Sequence, residues 1–391
     1  MNKLREGKMD WNAIIEQTLH TTKANIARFE DRFPHVGNGN GKYQRVDHTD
    51  WTEGFWPGIL WLSCEYGQDS YIREAAVRCT RSFQARLAEH KNLDHHDIGF
   101  LYSLSALAQW MVERDEAAKI TALQAADALM RRWRPSLQLI QAWGPEHDPQ
   151  NGGRIIIDCL MNLPLLCWAT EQTGRSAYAE VARIHADKSL KFLVRGDASS
   201  YHTFYFDPES GDAVRGGTHQ GFQDGSTWSR GQAWGIYGFA LAYRYFKVPQ
   251  YLDTAIRMAR YFIDRLPDDH VAYWDFDVPP TALTPKDSSA SAIAACGMLE
   301  IADQLSSDDP RRKFLLDAVR RSMVCMVEGY FTKGNPDEEG LLRHGSYFVR
   351  GGIAPDDFVI WGDYFFLEAL MRLNNGRPGY WYEPKRSKTR E

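Results

Sequence analysis

The chain has 391 residues, 43% of them hydrophobic and 25% charged, a balance that supplies a large core and excludes a disordered or fibrous protein. Its net charge of −5, with no basic tract before a short tail at Lys385-Arg386-Ser387-Lys388, leaves no electrostatic footprint for nucleic acid. No run of eighteen or more apolar residues occurs, so no membrane helix is expected, and the polar start 1–10 does not read as a signal peptide.

Helical periodicity fills the chain from Trp11 onward. Segments 11–29, 70–88, 116–132, 177–193, 250–265 and 310–327 carry one apolar stripe and many charges, and read as amphipathic helices with a wet face. Between them lie 54–66, 97–112, 155–173, 230–246, 288–305 and 361–373, which are apolar almost all round and rich in Gly, Ala and aromatics. A helix apolar on every side is a buried helix. The two kinds alternate six times with an irregular period. That pattern predicts an all-α fold, a single (α/α)6 barrel of six helical hairpins forming one domain over residues 1–391.

Connections from inner to outer segments are short, as at Gly67-Gln68-Asp69, Gly174-Arg175-Ser176 and Lys247-Val248-Pro249. Connections from outer to inner segments are long: 30–52, 133–154, 194–229, 266–287 and 329–360. Antiparallel hairpins place all the long loops at one end, together with the N-termini of the six inner helices. Loops on a rigid scaffold are where sites form, and helix N-termini offer free N–H donors and partial positive charge. The expected ligand is therefore anionic. Alternating stretches at 201–206, 271–276 and 341–349 predict small β-hairpins walling this mouth.

Two aspartates stand out. Asp97 opens an inner segment, where the ordinary reading is an N-cap, although capping does not exclude chemistry. Asp158 lies within Ile155-Ile156-Ile157-Asp158-Cys159-Leu160-Met161, too deep in an apolar run for an ordinary cap. A carboxylate there must find partners, such as the backbone or Asn162, or hold a proton. Burial would raise its pKa into the range that suits a general acid, and two carboxylates at one mouth fit acid/base work on a glycoside.

Around them, His202, His219, Gln220 and Arg230 could ring an anion, the guanidinium fork donating two parallel hydrogen bonds to a carboxylate. Trp51, Trp143, Trp228 and Trp234 are mouth aromatics; for Trp234 core packing and sugar stacking are both open. The His95-His96 pair has no helical two-His spacing and no second cluster, so no metal is expected. The glycine pairs Gly216-Gly217 and Gly351-Gly352 lack phosphate-loop spacing, and neither a Gly-x-Ser-x-Gly elbow nor a Cys–His pairing is present. Six cysteines without a CxxC pair read as reduced core thiols of a cytoplasmic protein.

Six segments carry a more specific signal. They are His95-His96-Asp97-Ile98-Gly99-Phe100-Leu101-Tyr102-Ser103, Ile155-Ile156-Ile157-Asp158-Cys159-Leu160, Gly216-Gly217-Thr218-His219-Gln220-Gly221, Ser229-Arg230-Gly231-Gln232-Ala233-Trp234-Gly235, Asp287-Ser288-Ser289-Ala290 and Ile360-Trp361-Gly362-Asp363-Tyr364. In this order, across residues 10–383, the chain resembles the unsaturated glucuronyl hydrolases of glycoside hydrolase family 88. The resemblance implies an (α/α)6 barrel. It also implies a reaction without metal or cofactor: hydration of the C4=C5 double bond of an unsaturated uronic acid at the non-reducing end of a small anionic oligosaccharide. It puts Asp158 at the principal acid/base position and Asp97 at the assisting one. By the same resemblance His202, Gln220 and Arg230 hold uronate and water, and Trp51, His96, Trp143, Trp228 and Trp234 line the pocket. It implies cytoplasmic action on imported lyase products. Three other readings stay open on residues alone: hydrolysis of unsaturated rhamnogalacturonan, a conventional inverting glycosidase, and a non-catalytic sugar-binding protein on an enzyme scaffold.

Overall fold

The computed structural model describes residues 9–145 and 148–384; the two ends, including the basic tail, and Glu146 and His147 in a mouth loop lie outside the described residues. The amphipathic segments form the outer helices α1 (Trp11–Phe29), α3 (Ser70–Ala88), α6 (Glu116–Met130), α8 (Ser176–Leu193), α10 (Pro249–Ile263) and α12 (Pro310–Cys325). The apolar segments form the inner ring. It comprises α2 (Phe55–Gly67), α4 (Ile98–Tyr102) continued through a π-helical turn (Ser103–Leu107) into α5 (Ala108–Glu113), α7 (Leu163–Thr173), α9 (Ser229–Phe246), α11 (Ser288–Gln304) and α13 (Ile360–Asn375).

Each inner helix packs on the next, and α13 packs on both α1 and α2, so the ring closes. This is the (α/α)6 barrel that the alternation of stripes predicts. Asp residues cap four of the six outer helices: Asp10, Asp69, Asp115 and Asp309 each accept a backbone N–H from the first turn. Five of the six inner helices end on left-handed residues, Gln68, Arg114, Gly174, Lys247 and Gly376, whose N–H groups bond back into the last turn. Those caps turn the chain at once into the next helix or the final segment, which keeps that end of the barrel tight. A final segment crosses the same end. Its Tyr380, Trp381 and Tyr382 are buried, the Trp381 indole donates to Glu368 (3.0 Å), and Glu383 accepts from the indoles of Trp110 (2.9 Å) and Trp168 (3.0 Å).

The opposite end carries the long loops and the strands. β1 (Phe33–Gly37) pairs antiparallel with β2 (Tyr43–Val46), and β3 (Trp133–Arg134) with β4 (Leu139–Ile140). A three-stranded antiparallel sheet orders β5 (Arg154–Ile156), β6 (Thr203–Phe206) and β7 (Ala213–Gly217). The segment 155–173, expected as one inner helix, is thus three pieces: β5, a 3₁₀ turn (Ile157–Met161) and α7. Three successive β-branched isoleucines favour the strand, and Pro164 fits the first turn of the helix that follows. The hairpins expected at 271–276 and 341–349 are not formed; these loops make only isolated bridges, such as Tyr273 with Lys286 and Gly345 with Asp357. Asp363 takes the N–H groups of Leu341 and Leu342, while Trp274, Phe276, Arg343 and Tyr347 donate to the scattered backbone carbonyls of Pro285, Thr227, Tyr330 and Ala354.

Glycines let the inner ring close tightly. A Cβ on Gly238 of α9 would fall 2.3 Å from Cβ of Leu160, and one on Gly54 would fall 2.2 Å from the Phe100 carbonyl oxygen. Gly238→Ala is expected to lower unfolding free energy by about 1–3 kcal/mol through overpacking, whereas Gly329→Ala, where nothing lies within 4 Å of the new carbon, should change it by less than about 0.5 kcal/mol. Urea unfolding of the two variants checks the contrast.

Candidate active site

The mouth holds a cavity of about 210 Å³ lined by Trp51, His96, Asp97, Trp143, Asp158, His202, His219, Gln220, Trp228, Arg230 and Tyr347. The lining comes from N-terminal ends of inner elements and from the loops beside them. Trp51 precedes α2, His96 and Asp97 precede α4, Asp158 sits in the 3₁₀ turn before α7, and Trp228 and Arg230 open α9.

Asp97 occupies the N-cap position of α4, yet its side chain makes no capping bond. The carboxylate turns to His95 Nδ1 and His96 Nε2, each at 3.4 Å, and to the side chain of Asn162. Burial alone would push Asp97 upward; His96, His95 and Asn162 outweigh it and hold the carboxyl below its ordinary range. Burial brings His96 itself down to about 4 against the opposing pull of Asp97, so near neutrality its ring is uncharged.

Asp158 is the opposite case. One carboxyl oxygen is buried with no hydrogen-bond partner. Burial, reinforced by the negative charge of Asp97 and only partly offset by Arg230, raises its pKa to about 8. Asn162 ties the two aspartates' elements together: its amide donates to the Asp158 carbonyl (3.3 Å) and its oxygen accepts from the Phe100 N–H (2.8 Å). That junction needs Gly99, whose Cβ would meet Asn162 Cα at 2.4 Å. Two carboxyls in one cavity with pKa values pushed apart are equipped for separate acid and base roles.

His202 is fixed in one tautomer. Its Nδ1 accepts the backbone N–H groups of His219 (3.1 Å) and Gln220 (3.2 Å), so the ring proton sits on Nε2. Burial holds the ring well below its ordinary pKa, leaving a neutral N–H donor at the cavity wall. The ring packs on Trp228 at 4.4 Å. At the rim, Trp143, His219 and Phe348 form a row of aromatic contacts, with centroids 5.3 and 5.1 Å apart, and Arg154 lies 4.3 Å over Trp143.

Arg230 departs from the expected anion fork. Its Nη1 donates to Asp287 (2.7 Å) and to the Ser346 carbonyl; its Nη2 donates to Gln220 Oε1 (3.0 Å) and the Tyr347 carbonyl (2.8 Å). Only Nε–H lacks a protein acceptor. The guanidinium lies between Trp228 (4.4 Å) and Trp361 (5.1 Å), a fully packed cation rather than a free clamp. Trp234 also departs from the pocket role. It is fully buried one turn further along α9, against Phe100 (5.1 Å) and Phe365 (5.4 Å), and does not line the cavity. Those neighbours, on α4 and α13, put the ring in the barrel core. Tyr347 is the lining residue that sequence reasoning missed. Its only signal was its place in the 341–349 mouth loop; its hydroxyl accepts from the Trp51 indole (3.4 Å). Among the described residues no group of three His, Cys, Asp or Glu side chains is arranged to hold a metal ion.

Comparison with known proteins identifies the family. The profile of Glycosyl Hydrolase Family 88 matches residues 25–371. An unsaturated glucuronyl hydrolase of Bacillus sp. (strain GL1) is 61% identical over 373 residues, 95% of this chain and 99% of the relative. The crystal structure of the Bacillus sp. GL1 enzyme superimposes with a TM-score of 0.95 at 60% identity, covering 96% of this chain and all of that one. An unsaturated glucuronyl hydrolase from Streptococcus agalactiae, solved as a complex with dGlcA-GalNAc6S, is 38% identical with a TM-score of 0.85, covering 97% of this chain and 95% of that one. With a closed six-hairpin barrel, two coupled aspartates at its mouth and a profile match over most of its length, the chain belongs to glycoside hydrolase family 88.

Proposed function

We propose that this enzyme removes a 4,5-unsaturated uronic acid from the non-reducing end of a short, lyase-generated oligosaccharide by hydrating its vinyl ether. The observation that carries the reading is one cavity lined by two carboxyls in opposite surroundings, Asp158 with an unpartnered buried oxygen and Asp97 held by His95 and His96. The cavity volume, below the roughly 300–1,000 Å³ common for drug-sized ligands, suits one sugar ring with the next at the aromatic rim.

In this mechanism Asp158 donates its proton to C4, and positive charge develops at C5, shared with the ring oxygen. The nearby Asp97 carboxylate stabilises that charge and holds the sugar hydroxyls. Water adds at C5 and gives its proton back to the Asp158 carboxylate. The product carries a hydroxyl and the ring oxygen on C5, a hemiketal. It opens to a C5 ketone, which converts C1 into a hemiacetal, and that hemiacetal releases the remaining sugar as an alcohol. The Nε2–H of His202 and the amide of Gln220 are the donors offered to the uronate and the attacking water. The six cysteines, all free, fit action in a reducing compartment, and we place the enzyme in the cytoplasm.

Incubation with a lyase-made unsaturated disaccharide should abolish its ultraviolet absorbance, a change that a glycosidase specific for saturated sugars would not produce. Asp158→Asn should lower kcat by about 10²–10⁴-fold while the circular dichroism spectrum is retained; a variant within a few-fold of wild type would remove Asp158 from the reaction.

The pH profile follows from the same pair. Because the free enzyme must carry a proton on Asp158, kcat/KM should stay level toward alkaline pH and fall above about 8. Asp97→Asn removes a neighbouring negative charge, so any residual activity should lose its alkaline limb at lower pH.

Stability should move with pH through the same carboxyl. Its pKa in the fold lies above its unfolded value, so between about pH 4 and 8 the native state binds one proton more than the unfolded state, and stability falls as pH rises through that window. Asp158→Asn cannot ionise. Its melting temperature should depend less on pH and should exceed that of the wild type near pH 8, as differential scanning calorimetry would measure.

A further inference from the structure

We propose that Asp287 is a positioning residue for this reaction, acting through Arg230 to set Gln220 and Tyr347 against the substrate. The inference rests on the catalytic reading above and extends it to the Asp287-Ser288-Ser289-Ala290 motif, to which that reading gives no task.

Asp287 is fully buried and does two things at once. Its Oδ1 caps α11, accepting the backbone N–H groups of Ser289 (3.1 Å) and Ala290 (3.3 Å), and also lies 3.4 Å from the N–H of Ser346. Its Oδ2 accepts Nη1 of Arg230 at 2.7 Å, an ion pair with both side chains out of solvent. The remaining terminal donors of Arg230 reach the Ser346 and Tyr347 carbonyls and the Gln220 side-chain oxygen. One ion pair therefore joins the start of α11, the start of α9 and two separate mouth loops.

The consequences are directional. Gln220 Oε1 is held by Arg230, so its NH₂ group is the end left for a ligand. Tyr347 is held by its carbonyl, which leaves its side chain on the cavity wall. The cap adds a third line of support: Ser289 Oγ accepts the indole N–H of Trp361 (3.0 Å), and that ring packs on both Trp51 and Tyr347 at 5.2 Å. A buried pair stripped of its anion leaves an uncompensated cation. Here that cation is the residue from which two substrate-facing side chains hang.

The test uses Asp287→Asn, because Asn is as good an N-cap as Asp and keeps the start of α11 while removing the charge. Kinetics on an unsaturated disaccharide are measured for wild type, Asp287→Asn, Gln220→Ala and the double variant, with folding checked by circular dichroism. Positioning through Arg230 predicts a loss of at least tenfold in kcat/KM for Asp287→Asn. It also predicts a double variant hardly worse than the poorer single one, because both substitutions disable the same contact. Losses that multiply, or an Asp287→Asn enzyme within twofold of wild type, would overturn it.

A merely structural role would leave the pH profile alone, whereas unmasking Arg230 should draw the alkaline limb to lower pH. The groups facing Asp158 are Asp97 with His95 and His96 behind it, Arg230 from α9, His202 at the cavity wall and Cys159 on its own turn; of these only Arg230 changes its pairing in the variant. A crystal structure of Asp287→Asn decides the matter without turnover: Gln220 and Tyr347 displaced support the proposal, and both unmoved refute it. Wild type inert on every unsaturated disaccharide would instead sink the catalytic reading, and the crystal structure alone would then judge Asp287.

Discussion

A carboxyl oxygen sealed from water with nothing donating to it is the constraint around which this barrel mouth is organised. Ionising such a group in place is costly, so Asp158 keeps its proton to a pH at which ordinary aspartates have long lost theirs. The rest of the site maintains that condition. Asp97, kept ionised by His95, His96 and Asn162, discourages a second negative charge. Arg230 would favour one, but Asp287 neutralises it and its fork points into the protein. The acid thus depends on two anions and one masked cation, all delivered by the ends of inner helices.

Neutral donors complete the picture. Burial discharges His96 and His202, and the backbone N–H groups of residues 219 and 220 fix which nitrogen of His202 carries the proton. A site that must admit an anionic sugar without stripping Asp158 of its proton benefits from hydrogen-bond donors that carry no full charge. Helix N-termini and a neutral imidazole meet that need better than an exposed guanidinium would.

How much of this was legible in the sequence depended on whether a residue's situation is local. The barrel was legible because stripe width distinguishes buried from half-buried helices. Asp158 stood out because a lone carboxylate in an isoleucine run lies too deep for an ordinary N-cap. The direction of Arg230's fork was not, since Asp287, Ser346 and Tyr347 lie 57 or more residues away along the chain. Nor could periodicity separate Trp234 from a pocket tryptophan, because both faces of α9 are apolar and only tertiary packing decides which ring meets solvent. The 341–349 loop misled for a related reason. Its alternation resembles a strand, but the N–H groups of Leu341 and Leu342 go to the Asp363 carboxylate and the loop otherwise makes only isolated bridges. Tyr347 went unnoticed inside it.

The ring's seam has a consequence for how the molecule is made. Helix α13 lies against α1 and α2, so hairpins at opposite ends of the polypeptide are neighbours in space. During vectorial synthesis five hairpins emerge before the sixth exists, and the apolar flanks of α2 and α11 face an empty wedge until it arrives. Joining them means closing a loop of nearly the whole chain, a long-range step whose entropy is not recovered until the last contacts form. The growing protein is therefore an open crescent with two sticky edges, the form in which chaperone capture and inter-chain mispairing compete with completion.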